Sequence, residues 1–431
     1  MSKYNDTIYA LSTPTGKSAI ALIRVSGKDS LETIKKISSI KKISPNKTKV
    51  TFLKYKKKII DQVIITFFKK TKSFTGEDMF EINCHGSPAI ITKISKTLEY
   101  LGLRLAEPGE FTRRALMNDK IDLLQTEGLS DLINAETEKQ RSLAITSLSG
   151  DLSLFIKDIN NRLSLILANT EALIDFSDED LPGNVLIKIK EQTKNIIKIL
   201  KKEINNSKIS KPIRSGFVVS VIGKPNTGKS SFINYISKKE VSIVTNIPGT
   251  TTDNITSIID IGGYKFTFID TAGLRKHKNK IEEIGIKKTK EAILQSNLSL
   301  VFLKGIEFNK YNDVENKIFV RSKLDKRKTN KKEKNTTNIS SITGEGVGAL
   351  FKKINKNLIK AQKNEPILSR ERHINIMKKV LLELKSINAS DSLDIKSYKY
   401  REALRLSLEI NQKFDIENIL DIIFKDFCIG K

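Results

Sequence analysis

Two rhythms of apolar and polar positions run along this chain, and the change from one to the other marks its parts. Up to about residue 120, short alternating runs are mixed with helical ones. Residues 20–25 and 63–68 have the period-two, β-branched pattern of strands. Residues 87–100 read as a helix with Pro88 in its first turn, where a missing N–H costs nothing. The mixture predicts an α+β domain over residues 1–119. From Lys120, at an expected helix start, long helices take over. Leu148, Leu152, Phe155, Ile159, Leu163, Ile166 and Leu173 recur at steps of three, four or seven. That spacing predicts one apolar helical face turned to a core. Residues 177–184 interrupt it with acidic side chains, Pro182 and Gly183, and a further helix is expected over 187–206.

A new α/β rhythm begins near Phe217 and ends near Ile359, and helical spacing resumes from Pro366. Helical pattern on both sides predicts an α/β domain, residues 212–365, inserted into a helical domain formed by 120–211 and 366–431. The expected fold is therefore multidomain, combining α/β and α+β parts, without internal repeats. No apolar run is long enough to cross a bilayer.

Composition adds little to this outline. The chain has 431 residues, 39% of them hydrophobic and 29% charged, as in globular proteins with sizeable cores. Its two cysteines, Cys84 and Cys428, lie far apart and lack metal-ligand spacing, which fits a reducing compartment. Residues 1–10 show no basic stretch followed by an apolar one, so a cytoplasmic location is expected. The net charge of +27 invites a nucleic-acid partner. Lysines are nevertheless spread over all segments, for example at 35–36, 56–58, 326–334 and 352–360, as a general drift in composition would also produce.

Chemistry concentrates after the strand expected over 217–222. Gly223, Lys224, Pro225, Asn226, Thr227, Gly228, Lys229 and Ser230 form G-x-x-x-x-G-K-[ST] between a strand and a helical run that begins with Ser231. Backbone N–H groups of such a loop wrap phosphates, and the helix N-terminus adds a favourable dipole. Lys229 is expected to reach the β- and γ-phosphates and Ser230 to ligate Mg2+. A second string ending in GKS, residues 13–18, has Leu11 where the first glycine is required and is not such a loop.

The remaining roles follow in order. Thr250 and Thr251, within Thr245-Asn246-Ile247-Pro248-Gly249-Thr250-Thr251, fall about twenty residues past the loop, where a threonine senses the γ-phosphate. A strand over 265–269 leads into Asp270-Thr271-Ala272-Gly273, with Asp270 holding Mg2+ through water and the Gly273 N–H meeting the γ-phosphate. Ser322-Lys323-Leu324-Asp325 follows a strand over 317–321, and Ser340, Ser341 and Ile342 are expected to close over the base. A carboxylate at 325 accepts from N1–H and the exocyclic amine of guanine, donors adenine does not offer there, so the nucleotide is GTP. Ser322 stands where such motifs usually begin with Asn.

Hydrolysis needs a cation and a means of positioning water. Leu274 occupies the place where many switch GTPases put a glutamine, and it cannot orient water. Asn226 is placed to hold a monovalent cation beside the phosphates. Glu282 and Glu283 are equal candidates on sequence for orienting the water.

With these residues in view, the chain resembles the MnmE (TrmE) family of tRNA-modification GTPases. The resemblance is carried by Asp6-Thr7-Ile8, the strings AIALIRVSG at 19–27, SFTGEDMFEINCHG at 73–86 and EPGEFTRRALMNDKIDLLQ at 107–125, the nucleotide motifs, and Phe427-Cys428-Ile429-Gly430-Lys431. It implies a homodimer and K+-dependent GTP hydrolysis, with GTPase domains pairing in the triphosphate state. It also implies an N-terminal domain binding 5-formyl-tetrahydrofolate or a related one-carbon tetrahydrofolate. Together with the FAD-containing flavoprotein MnmG, in a heterotetramer, the family adds an aminomethyl or carboxymethylaminomethyl group at C5 of the wobble uridine of certain tRNAs. By matching positions, Asn226, Thr245, Ile247 and Thr250 are expected around K+, Ser230 and Thr251 on Mg2+, and Glu282 at the attacking water. Arg24, Glu81, Lys120 and Lys431 are expected on the folate. Lys17-Ser18 and the run Val301-Phe302-Leu303-Lys304, which has no aspartate, depart from the family's loops. The competing reading is a GTP-gated, RNA-binding ribosome-assembly factor, in which the N-terminal domain and the 427–431 tail would be replaced.

Overall fold

A computed structural model of the chain describes residues 6–176, 184–239, 256–270, 293–305, 308–326, 336–359, 365–411 and 430. Two compact units divide it: Met1–Ser130 with Ser147–Lys157 and Leu408–Lys431, and Asp131–Thr146 with Asp158–Ser407.

The first unit is built on a six-stranded sheet. Its strands are β1 (Ile8–Leu11), β2 (Ser18–Ser26), β3 (Thr48–Tyr55), β4 (Lys58–Phe68), β5 (Met79–Gly86) and β6 (Arg104–Leu105), in spatial order β3-β4-β5-β2-β1-β6. All neighbours are antiparallel except β1 and β6. Alternation along β2 and β5 turns Ile23, Val25, Phe80 and Ile82 to one face, where they join Ile34, Ile37, Ile94 and Leu98 in a buried core. The last four lie on the helices Ser30–Ile37 and Pro88–Tyr100. The latter is the expected helix, with Ser87 before Pro88 at its start.

The other face keeps apolar side chains in the open. Val50 is 67% exposed, Phe52 45%, Ile64 42% and Ile20 63%. Val50 pairs with Ile64 across β3 and β4, so these side chains are neighbours.

A buried charge network closes the β1 end of the sheet. Arg114, 1% exposed, donates to Asp6 Oδ1 at 2.8 Å, Glu77 Oε2 at 3.0 Å and Glu110 Oε1 at 2.8 Å. Arg104 adds 2.7 Å to Asp6 and 2.6 Å to Glu110. Burial pushes the Asp6 and Glu110 carboxyls up, but the hydrogen bonds from Arg104 and Arg114 outweigh it and hold both below the ordinary carboxylate range. No feature of sequence spacing marks these five residues as a cluster.

The second unit carries the other sheet. Its strands are β7 (Phe217–Gly223), β8 (Thr256–Ile261), β9 (Tyr264–Asp270), β10 (Leu298–Phe302), β11 (Lys317–Arg321) and β12 (Thr336–Asn338), in order β12-β11-β10-β7-β9-β8. All pairs are parallel save β8 with β9. Phe232 and Ile236 of the helix Lys229–Lys239 and Leu350 and Ile354 of the helix Val347–Leu358 complete its core. The strand order reverses at β7, the place where ligands bind in open α/β sheets.

Helices from both sides of this sheet in sequence meet in space. Val185–Asn206 packs on Glu371–Ser386, and Thr193 Oγ1 lies 2.9 Å from Tyr400 Oη. Asp131 binds both stems of the excursion, Arg214 at 3.2 Å just before β7 and Arg370 at 2.9 Å after it. The α/β part is thus an insertion between packed helices.

Two expectations change. The apolar face expected from Leu148 onward belongs to the helix Asp151–Asp175 and consists of Leu152, Ile156, Ile159, Leu163, Ile166 and Thr170. Leu148 ends the preceding helix, Glu138–Leu148, while Phe155 and Leu173 are only half-buried. The break at Gly150 resets the helical phase, which a stripe counted through it cannot register. Lys120 lies not at a helix start but in the turn between Glu110–Met117 and Leu123–Ile133.

Candidate nucleotide site and arginine cleft

β7 is a central strand of apolar and β-branched residues, buried along most of its length. Its end becomes the loop because the backbone must turn sharply there. Gly223 has φ +143°, and a Cβ on it would lie 2.4 Å from the Phe302 carbonyl oxygen. Gly228 has φ +92°, and a Cβ there would lie 2.4 Å from Ser322 Oγ. Between them Asn226 takes φ +61°, a left-handed conformation that asparagine tolerates better than most residues. Thr227 Oγ1 donates to the Lys224 carbonyl at 2.8 Å. Lys229, 5% exposed, donates to the carbonyls of Gly223 at 2.8 Å and Lys224 at 2.7 Å, which holds its ammonium against the loop.

Register places the acidic partner. Val221 of β7 pairs with Asp270 of β9, so Asp270 emerges beside the loop. Its buried carboxylate accepts from Ser230 Oγ at 3.1 Å. A hydroxyl and a carboxylate at this separation are hard oxygen donors of the kind a Mg2+ site uses. Ser231 follows on the exposed side of the same first turn.

The segment expected to select the base lies at the end of β11. Ser322 Oγ donates to the Thr227 carbonyl at 2.5 Å, and Lys323 Nζ to the Asn226 carbonyl at 3.3 Å, tying it to the phosphate loop. Serine at 322 therefore makes a bridging bond of its own. Asp325 Oδ1 accepts from Ser340 Oγ at 2.6 Å. That hydroxyl in turn accepts from the backbone N–H of Ile342 at 3.3 Å and Thr343 at 3.2 Å, while Ser341 and the exposed Ile342 complete the turn. Four strand ends thus bring together Asn226, Thr227, Gly228, Lys229, Ser230, Asp270, Ser322, Lys323, Asp325 and Ser340.

The rest of the expected set lies outside the described residues. This holds for Thr245, Asn246, Ile247, Pro248, Gly249, Thr250 and Thr251, for Thr271, Ala272, Gly273 and Leu274, and for Glu282 and Glu283. Residues 13–18, the discarded GKS string, run from the β1–β2 connection into the first residue of β2, so a strand follows them rather than a helix.

The first unit contains a cleft of about 490 Å³. Arg24 and Glu81, directly paired across β2 and β5, both line it. Arg24 donates to Glu81 Oε1 from Nε at 3.0 Å and Nη2 at 2.8 Å, and Glu81 Oε2 takes no hydrogen bond among the described residues. The guanidinium also lies 5.8 Å from the Phe74 ring centroid and 5.7 Å from that of Phe111. Its Nη1 reaches the Gly430 carbonyl at 3.4 Å, which brings the chain's last turn to the cleft, although Lys431 lies outside the described residues. Lys120 instead donates to the Thr71 carbonyl at 3.0 Å and does not line the cleft, whereas Lys72 does. Nothing in the sequence marks Lys72, one of many lysines, for that place.

The neighbouring Cys84 is buried, and burial pushes its thiol up to about 11, so it is a packed thiol rather than a nucleophile. His85 Nδ1 lies 2.7 Å from Asp61. Cys428 lies outside the described residues. No helix among the described residues is long and apolar enough to cross a membrane.

Comparison with known proteins agrees with this geometry. The family model described as the GTP-binding protein TrmE N-terminus matches residues 7–120, and that of the MnmE helical domain matches residues 123–428. A tRNA modification GTPase MnmE from Pelagibacter ubique is 39% identical over 446 residues, covering 99% of this chain and 100% of the relative. The protein of that name from Rickettsia bellii is 35% identical over 450 residues, with 99% and 100% covered. The Lactococcus lactis protein is 33% identical over 448 residues, with 99% and 98% covered. Among solved structures, the G domain of the T. maritima FeoB iron transporter matches 33% of this chain and 98% of its own at 22% identity, with a TM-score of only 0.26. From the two family models and the near-full-length relatives, the chain belongs to the MnmE family.

Proposed function

We propose that this GTPase couples K+-dependent hydrolysis of GTP to modification of the wobble uridine of certain tRNAs at C5. It would act as a cytoplasmic homodimer, together with the flavoprotein MnmG. The observation that carries the reading is the joining of phosphate loop, Asp270 and Asp325 at the switch point of one sheet. The N-terminal family match favours this reading over a ribosome-assembly factor, which would carry a different domain there.

Lys229 and the loop N–H groups bind the phosphates and neutralise charge that shifts toward the leaving oxygen. Ser230, with Thr251, would hold Mg2+, and Asp270 would support it. When bound, the metal would supply stabilisation of the phosphate charge. Asn226 would hold K+ through its side-chain oxygen, with Thr245, Ile247 and Thr250 completing the set. When bound, K+ would supply the positive charge that other GTPases take from an arginine. Glu282 orients the attacking water, a task closed to the aliphatic Leu274. Asp325 selects guanine.

The cleft at Arg24 suits a reduced folate. Its volume falls within the usual range for small-molecule sites, an aromatic pair flanks the guanidinium, and Glu81 Oε2 remains to accept from a pterin's N–H groups. Lys72 and Lys431 supply positive charge for the glutamate tail. The exposed Val50–Phe52–Ile64 face of the same unit supports homodimerisation, because a second copy would cover it.

GTP turnover in K+ against Na+ buffer tests the mechanism. Hydrolysis at least tenfold faster in K+, with that advantage abolished in Asn226→Ala, is the expected result. Equal rates in both salts would sink the cation role.

A further inference from the structure

The helix Val185–Asn206 presents a row of lysines that the nucleotide and cleft chemistry does not use. Its inner face is set by Ile189, Thr193, Ile196, Leu200 and Glu203, all buried. At 100° per residue, Lys190, Lys194, Lys198 and Lys201 fall within about 80° of one another on the far side, spanning about 16 Å along the axis. All four are exposed. Lys194, Lys198 and Lys201, with Ile197 between them, line a cleft of about 340 Å³.

Several exposed charges on other helices are held in ion pairs. Lys36 pairs with Glu32 at 2.7 Å, Arg162 with Asp158 at 2.8 Å, Arg141 with Glu138 at 2.6 Å and Arg405 with Glu402. Among the described residues, none of the four lysines pairs with a carboxylate. Instead Lys190–Lys194 and Lys194–Lys198 are like charges four apart, which repel. Over this helix six lysines face two glutamates, one of them buried, against 76 basic to 49 acidic residues in the chain. A compositional drift toward lysine explains the number, but not the alignment of four on one side, where the exposed Glu191 forms no ion pair with them among the described residues. The helix is held by its apolar side, so the row is a rigid, outward ladder of cations. Steps of four, four and three residues space the charges about 4.5–6 Å apart along the axis.

We infer that this lysine row is a docking face for the sugar–phosphate backbone of RNA. Evenly spaced ammonium groups with no planar guanidinium and no aromatic side chain among them suit phosphates as point charges and offer nothing to read bases. The face would thus bind the tRNA body without sequence preference and leave selection of the modified uridine to other groups. The inference rests on tRNA being the substrate.

The test uses the full chain with Lys194→Gln, Lys198→Gln and Lys201→Gln combined. A control carries Lys41→Gln, Lys42→Gln and Lys47→Gln, which removes the same charge from exposed lysines outside the row. Binding of a tRNA transcript is followed by anisotropy from about 50 to 200 mM salt. The row variant is expected to bind at least about tenfold more weakly, with a slope of log K against log salt shallower by about 2. Its circular dichroism and tRNA-free GTP turnover stay as in wild type, and the control keeps the wild-type slope. Wild-type binding that survives unchanged in the row variant overturns the inference alone, as does an equal loss in the control. Absence of tRNA binding by the wild-type chain overturns the tRNA reading as well. Stronger loss of binding to phosphatidylserine vesicles than to tRNA would assign the row to a membrane surface and also overturn it.

Discussion

At Asp325 one carboxylate oxygen is already committed to the Ser340 hydroxyl, at 2.6 Å, and that hydroxyl is fixed in turn by two backbone N–H groups. The carboxylate is thus oriented before any base arrives, as the proposed selection of guanine requires. Asp325→Asn turns an acceptor into a donor facing the guanine N1–H. Two charge-assisted hydrogen bonds are lost, so GTP affinity should fall by at least about a hundredfold. Xanthosine triphosphate, with a carbonyl in place of the exocyclic amine, should gain. Competition binding of the two nucleotides measures this, and unchanged GTP preference in the variant would refute the assignment. Ser322 shows the limit of motif reading at this scale. Its departure from asparagine was visible in the sequence, but not the bond to Thr227 that ties the base segment to the phosphate loop. That bond depends on β11 and β7 ending at the same edge of the sheet, one on each side of β10.

Among the elements, the segment from Arg104 to Arg114 carries a stability argument. Glu110 and Arg114 are both 1% exposed and lie 2.8 Å apart. Removing one partner leaves the other buried without its counter-charge, so Arg114→Ala should cost roughly 3–5 kcal/mol. The pH dependence has a definite sign. Asp6 and Glu110 have carboxyls depressed in the folded state. Their contribution is fully present above the ordinary carboxylate value of about 4 and is lost as pH falls through the lower folded values. Acid unfolding of wild type should therefore begin below about pH 4. In Arg114→Ala burial of Glu110 acts with less opposition, and the acid transition should move to higher pH. Thermal melts followed by circular dichroism between pH 3 and 7 check both statements, and a variant as acid-resistant as wild type would contradict them.

On the scale of the whole molecule, the nucleotide site and the Arg24 cleft are each assembled within one compact unit. Their ligand binding should accordingly be separable. Arg24→Ala removes a charge lining the cleft and frees Glu81, and it should weaken binding of 5-formyl-tetrahydrofolate by about ten- to a hundredfold. Basal GTP turnover should stay within about twofold, since none of the loop contacts is touched. Calorimetry and phosphate release on one preparation decide the point. A parallel loss of both activities would show that the variant had damaged more than the cleft.

The phosphate loop, the carboxylate expected to select guanine and the interrupted helical pattern could all be read from the chain, because each depends on local geometry. Glycines where φ is positive, a lysine and a serine at the head of a helix, and a carboxylate after a strand state their roles within a few residues. The cross-strand pair of Arg24 and Glu81, the network around Arg114, Asp131 gripping both stems of the insertion and Lys72 in the cleft were not legible in that way. Each includes contacts between side chains tens to hundreds of residues apart, or picks one lysine from many. Sheet register and chain return decide such contacts, and neither is written in local spacing. The net charge divides along the same line. Its size of +27 is a property of the sequence, whereas the lysine row became a surface only when the apolar face of its helix was buried.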